Sequence, residues 1–240
     1  MRKTTHLSDE PIILTKTNDS RRILNKKDWQ NKTFVKLEIG IEQISSPSLE
    51  KNKNTFLYVG RFIAWKGIKI ILEAFYLFWN KNKDAQLILI GEGPLQSQIE
   101  LFRKQHNLEE HIKIIPWLIQ QELKQYYQSS QALLFPSLHD SSGNVVLEAL
   151  ANGLPVITLD CGGPACVLGE TLKDMIVSTH KATIDNVVEG IMAKMQQISS
   201  DQTFYNHIQN LSLERAKDFL WSETVESTYS FIENRIAKTS

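Results

Sequence analysis

Cysteine is nearly missing from this chain: 240 residues hold two, Cys161 and Cys166. Gly-Gly-Pro-Ala separates them, a spacing that fits neither the usual zinc sites nor a redox Cys-x-x-Cys, and both read as reduced, incidental thiols. Net charge is missing too, since 27 basic residues meet 27 acidic ones. That removes any global case for nucleic acid as a partner, while two or three placed cations would still suffice to hold a phosphate. No apolar run approaches the ~18 residues of a membrane span. The charged start, Met1–Glu10, has no apolar core of about 7–15 residues behind it, so it does not read as a secretory signal. A cytoplasmic protein without a transmembrane segment is expected, with peripheral contact to a membrane left open. The six histidines are scattered, and only His139 adjoins a candidate site. No Ser-His-Asp or Cys-His constellation can be assembled, and no metal-ligating set stands out.

What is present is an ordinary soluble composition, 42% apolar and 22% charged, which argues against disorder or a fibre. From residue 55, short β-rich runs alternate with helix-length amphipathic segments. Thr55–Val59, Gln86–Ile90, Lys113–Ile115, Ala132–Phe135, Pro155–Leu159 and Met175–Val177 read as strands. Helices are expected near 67–82, 94–106, 120–129 and 144–152, followed by 182–198, 201–219 and 222–238. Nearly all-apolar strands in such alternation indicate an α/β fold, a doubly wound parallel sheet with helices on both faces. Before residue 50, Pro11–Thr15 and Thr33–Leu37 read as strands and Asp19–Lys27 as a short helix, with Ile44–Asn54 a polar linker. This leader is too small for a core of its own.

Three clusters carry candidate chemistry. Arg61 and Lys66 follow the strand Thr55–Val59 at its carboxyl end, where open α/β sheets bind ligands. Lys66 is also placed at a helix N-terminus, where a cation opposes the helix dipole unless an anion is near. Both side chains simply reaching solvent or a surface carboxylate is the competing reading. Gly91-Glu92-Gly93-Pro94 sits at the next strand-to-helix junction; it lacks the third glycine of a dinucleotide fingerprint and reads better as a tight turn, with Pro94 suited to the first helical position. The loop Asp140-Ser141-Ser142-Gly143-Asn144 opens a helix, so unpaired backbone N–H groups and the positive end of a dipole converge there. Glu148 lies among apolar neighbours, where a carboxylate is costly unless something polar meets it. Against this stands an N-cap role for Asp140 or a neighbouring serine, with Glu148 facing solvent. Trp65, Trp117 and Trp221 read as packing residues, and Trp117, after Pro116, is placed to border a flat base.

Taken together, Val59-Gly60-Arg61 with Lys66-Gly67, Leu89-Ile90-Gly91-Glu92-Gly93-Pro94, Phe135-Pro136-Ser137, Asp140 to Glu148, Glu148-Ala149-Leu150-Ala151-Asn152-Gly153-Leu154-Pro155-Val156-Ile157 and the late Trp221 resemble the C-terminal, donor-binding domain of the family 4 glycosyltransferases, which have the two-domain GT-B fold. The likeness runs from about residue 33 to 236. It implies a retaining transfer of sugar from a nucleotide-diphosphate donor, a UDP- or GDP-sugar, to a glycan or lipid-linked acceptor, without cofactor or bound metal. Arg61 and Lys66 would hold the diphosphate and stabilise the leaving nucleotide, Asp140 would face the donor sugar, and Glu148 would bind the ribose. The backbone around Ser142, Gly143, Asn144 and Val145 would touch sugar and phosphate, with Gly60 beside them. Pro116, Trp117 and Leu118 would line the base pocket. Asp140 departs from the usual glutamate by one methylene.

The resemblance also divides the chain: residues 1–45 as the end of an acceptor domain with its linker, 46–220 as the nucleotide-sugar-binding unit, and 221–240 as a crossover helix. Of the acceptor-binding half, in the family an N-terminal domain of comparable size, only the last elements are expected here, in residues 1–45. Three readings follow: a transferase whose acceptor half is supplied in trans by another polypeptide, a nucleotide-sugar-binding module that does not catalyse, and a truncated remnant. A nicotinamide-dependent Rossmann enzyme fits the order of strands and helices but not the glycine pattern.

Overall fold

The computed structural model describes residues 13–15, 33–35, 39–45 and 51–239. Two short strands, β1 (Ile13–Thr15) and β2 (Thr33–Val35), pair in parallel with each other. Both fall inside the expected strands, while the helix read at 19–27 and residues 46–50 of the linker lie outside the described residues. The main sheet has six strands: β3 (Thr55–Val59), β4 (Gln86–Ile90), β5 (Ile112–Ile115), β6 (Ala132–Phe135), β7 (Val156–Leu159) and β8 (Ile176–Val177). All pair in parallel, in the order β5-β4-β3-β6-β7-β8. Phe56, Leu57, Tyr58, Leu133, Leu134 and Ile157 are fully buried, as strands covered on both faces must be.

The described helices are α1 (Ile68–Lys81), α2 (Gln96–Gln105), α3 (Gln120–Ser129), α4 (Asn144–Ala151), α5 (Gly162–Leu168), α6 (Ile184–Ser200), α7 (Gln202–Lys217) and α8 (Trp221–Thr239). From β3 the chain steps outward through β4 to β5, then crosses back to β6 and steps outward the other way. Right-handed crossovers therefore set α1 and α2 on one face and α3, α4 and α5 on the other. Helix α6 packs on α1, and α7 on α4. Thr183 caps α6 by accepting from the Asn186 amide at 3.2 Å, and Asp201 caps α7 through the Phe204 amide at 2.9 Å.

One expectation needs correction, and two elements lie outside the sequence reading. Helix α2 starts at Gln96 with Leu95 as its cap, so Pro94 lies in the preceding turn and not at the first helical position. Lys66 closes a 3-10 turn, Ala64–Lys66, and directly precedes Gly67, the N-cap of α1, so it stands at that helix's N-terminus as expected. Helix α5 and the 3-10 segment Glu170–Met175 were not foreseen, because Gly-Gly-Pro reads as loop and seven residues are too few to show a period. The ends of the domain are tied together: the Ile41 amide donates to the Phe219 carbonyl at 2.9 Å, and the Trp221 amide donates to the Ile41 carbonyl at 3.1 Å.

Candidate functional site

Strands β3 and β6 are neighbours, and the chain leaves them toward opposite sides. Their carboxyl ends form the switch point at which open parallel sheets hold ligands. After β3, the Gly60 amide donates to the Ile90 carbonyl at 2.9 Å and the Phe62 amide to the Glu92 carbonyl at 2.8 Å. A Cβ on Gly91 would stand 2.1 Å from the Gly60 oxygen, and one on Gly93 2.5 Å from the Phe62 oxygen. The two glycines are thus required by backbone contact with the Arg61 loop. The buried Tyr58 hydroxyl donates to the Arg61 carbonyl at 2.9 Å, fixing the loop. The Arg61 side chain is exposed, and its guanidinium has no partner among the described residues.

Gly67, at φ +76°, lets the 3-10 turn lie against Pro136, whose oxygen would be 2.2 Å from an added Cβ. The Leu138 amide donates to the Trp65 carbonyl at 2.8 Å, binding that turn to the loop after β6. Lys66 Nζ then stands 5.3 Å above the centre of the Phe135 ring and forms an ion pair with Asp140 Oδ2. Asp140 Oδ1 accepts from the amides of Ser142 at 3.0 Å and Gly143 at 2.8 Å. Both charged side chains are largely buried, 17% and 14% exposed. Burial pushes the Asp140 carboxyl up, but the Lys66 bond and the two amides outweigh it and hold it below its ordinary value. Behind the loop, the Gly163 amide donates to the Asp140 carbonyl at 2.7 Å, and a Cβ on Gly162 would lie 2.5 Å from that oxygen. Helix α5 is therefore the backstop of the site.

Glu148 is half-buried on α4, and the Tyr127 hydroxyl donates to its Oε2 at 2.9 Å. Burial raises the Glu148 carboxyl above its ordinary value, and the Tyr127 bond offsets part of that. Burial, with Glu148 second, raises the Tyr127 hydroxyl as well. These two residues line an open cleft of about 780 Å³ with Asn144, Gln120, Lys124 and Trp221. Trp221 also lies across Gly40, its Cδ2 only 2.5 Å from where a Cβ would be, so it is both packing residue and cleft wall.

The structure joins Lys66, Asp140, Ser142 and Gly143 by direct contact and sets Asn144 and Glu148 in the adjoining cleft. Trp117 and Leu118 do not line that cleft; Trp117 is 58% exposed at the end of β5. The expectation of open amides at Ser142 and Gly143 is corrected, because Asp140 occupies both. The amides of Asn144, Val145 and Val146, the first turn of α4, have no acceptor among the described residues. Neither is Glu148 a solvent-facing acid. Tyr127 was missed: its bond to Glu148 joins residues 21 apart in sequence, on two different helices, beyond any local pattern. Three donors gathered on one carboxylate are what an anion site requires.

Among the described residues no group of three or more His, Cys, Asp or Glu is arranged to hold a metal ion, and no helix is long and apolar enough to cross a membrane. The model of the glycosyl transferases group 1 family matches residues 41–219. An uncharacterised glycosyltransferase of Methanocaldococcus jannaschii is 28% identical over 65% of this chain and 42% of its own length. The 2-deoxystreptamine N-acetyl-D-glucosaminyltransferase of Niallia circulans is 32% identical over 51% of this chain and 32% of its own. The chain thus spans less than half the length of these relatives. Among solved structures, the pneumococcal O-GlcNAc transferase GtfA, in complex with UDP and GlcNAc, superposes with TM-score 0.78 at 18% identity, covering 92% of this chain and 44% of that one. The C-terminal domain of a group 1 glycosyl transferase from Francisella tularensis gives 0.62 at 19% identity, covering 77% of this chain and 97% of that one. The fold is that of the C-terminal half of GT-B glycosyltransferases.

Proposed function

Since the chain belongs to the group 1 glycosyl transferases, we propose that it is the donor-binding half of a retaining, family 4-like hexosyltransferase using a UDP- or GDP-sugar and a glycan or lipid-linked acceptor. The observation that carries this reading is the meeting of Lys66, Asp140 and the amides of Ser142 and Gly143 at the β3/β6 switch point, beside the cleft that holds Glu148. Arg61 and Lys66 take the charge that grows on the departing nucleotide. Gly60 and the amides of Asn144 and Val145, without an acceptor among the described residues, bring backbone to the diphosphate and sugar. Glu148, held by Tyr127, accepts from the ribose hydroxyls, Trp117 and Leu118 border the base, and Asp140 faces the sugar once the donor is seated. No cofactor beyond the donor is invoked, and the setting is cytoplasmic with at most peripheral membrane contact.

Transfer needs both substrates in one dry cleft, because proximity and exclusion of water provide much of the rate. In this reading the acceptor half is supplied in trans by another polypeptide. Helix α8 offers Trp221, Val225 and Tyr229 at four-residue spacing, all exposed, as a face on which such a partner could seat. The purified chain is expected to bind donor and hydrolyse it slowly, without efficient transfer. Robust sugar transfer by this chain alone would overturn the half-cleft reading, and donor binding without transfer even with a partner would favour a non-catalytic module.

A further inference from the structure

We propose that Asp140 is a specificity-determining counter-anion, an internal stand-in for phosphate that a diphosphate must displace from Lys66 and from the α4 loop before the site is loaded. The inference rests on the donor reading above and concerns how that site chooses its ligand.

Every polar contact of the carboxylate points the same way. Oδ2 takes the Lys66 ammonium, and Oδ1 takes the Ser142 and Gly143 amides. These are the donors a phosphate would use at this switch point. With Asp140 in place, Lys66 carries no uncompensated charge, and two amides of the cradle are spent. A nucleoside or a weakly charged ligand gains little by entering, since it cannot repay the loss of a largely buried ion pair. A dianionic diphosphate can, because it brings more charge to Lys66 than the carboxylate does and more acceptors to the amides. The surroundings favour one exchange over general loosening. Gly163 grips the Asp140 backbone carbonyl at 2.7 Å, so the side chain can rotate while its main chain stays. The Tyr58 hydroxyl, raised by burial and then by Asp140, stays a neutral neighbour bonded to the Arg61 carbonyl. Once displaced, the carboxylate is free to meet the sugar hydroxyls, so one residue serves as gate and as donor contact.

A residue whose role is only to hold the loop together would weaken every ligand when changed. A counter-anion gives the opposite sign for charged ligands alone. The test titrates wild type and Asp140→Asn with UDP, GDP, uridine and guanosine by calorimetry at constant salt; the amide oxygen of asparagine can still accept from Ser142 and Gly143. Asp140→Ser, with circular dichroism of both variants, guards against simple misfolding. Affinity for UDP or GDP should rise about fivefold or more in the folded variants, a coupling of ordinary size, with that for the matching nucleoside unchanged. Diphosphate affinity that is equal or lower in folded variants overturns the inference while leaving the donor reading standing. No binding of either diphosphate by any form overturns both.

Discussion

At the scale of single residues, charge and burial assign different fates to neighbouring groups. Arg61 is exposed and has no partner among the described residues, so Arg61→Ala should leave stability within about 0.5 kcal/mol while weakening diphosphate binding; chemical denaturation and calorimetry on the same sample check both. Tyr127→Phe removes the bond that lowers Glu148 against its burial, leaving an underbonded carboxylate. Because the folded Glu148 already titrates above its ordinary 4.5, its contribution to stability is full below that pH and is lost as pH rises through the higher folded value. The variant moves that loss further up, so its deficit should be small at pH 4 and grow to about 1–3 kcal/mol at pH 7; urea melts at the two pH values read it. Asp140 and Glu148 were legible in the sequence because a loop of small residues and an acid among apolar neighbours both break local pattern. The partners of each were not, since Lys66 and Tyr127 reach them across the fold.

At the scale of elements, glycines fix how closely loops approach. A Cβ on Gly67 would meet the Pro136 oxygen at 2.2 Å, whereas one on Gly153, also at positive φ, would find its nearest neighbour, a Leu213 methyl, at 3.4 Å. Gly153→Ala should therefore cost only the left-handed backbone penalty, about 1–2 kcal/mol. Gly67→Ala should cost clearly more and carry nucleotide binding away with it, since it pushes the Lys66 turn off β6; paired thermal melts decide. The six strands of the main sheet could be read to within a residue or so at each end because nearly every position is apolar and each run ends at Gly, Pro or a polar cluster. Helix α5 could not, because its Gly-Gly-Pro opening is chosen for close contact with the Asp140 loop and not for helix propensity.

At the scale of the molecule, the sequence pattern announced a parallel sheet but not which strands are neighbours. The pairing of β3 with β6, which turns two distant loops into one site, depends on the chain returning across the sheet after β5, and no local signal records that return. The segments flanking the main sheet carry the other whole-molecule property: Ile41 and Trp221 tie them together, and α8 runs on past them with an exposed apolar stripe. The most direct measurement is the thermal shift of the whole chain with UDP, GDP and NAD, beside the Arg61→Ala/Lys66→Ala double variant. If the switch point is a diphosphate site, UDP or GDP at about 100 times its dissociation constant should add about 2.7 kcal/mol of stability, NAD nothing, and the double variant should lose the gain. Stabilisation by NAD alone, or a UDP or GDP gain that survives in the double variant, would contradict it.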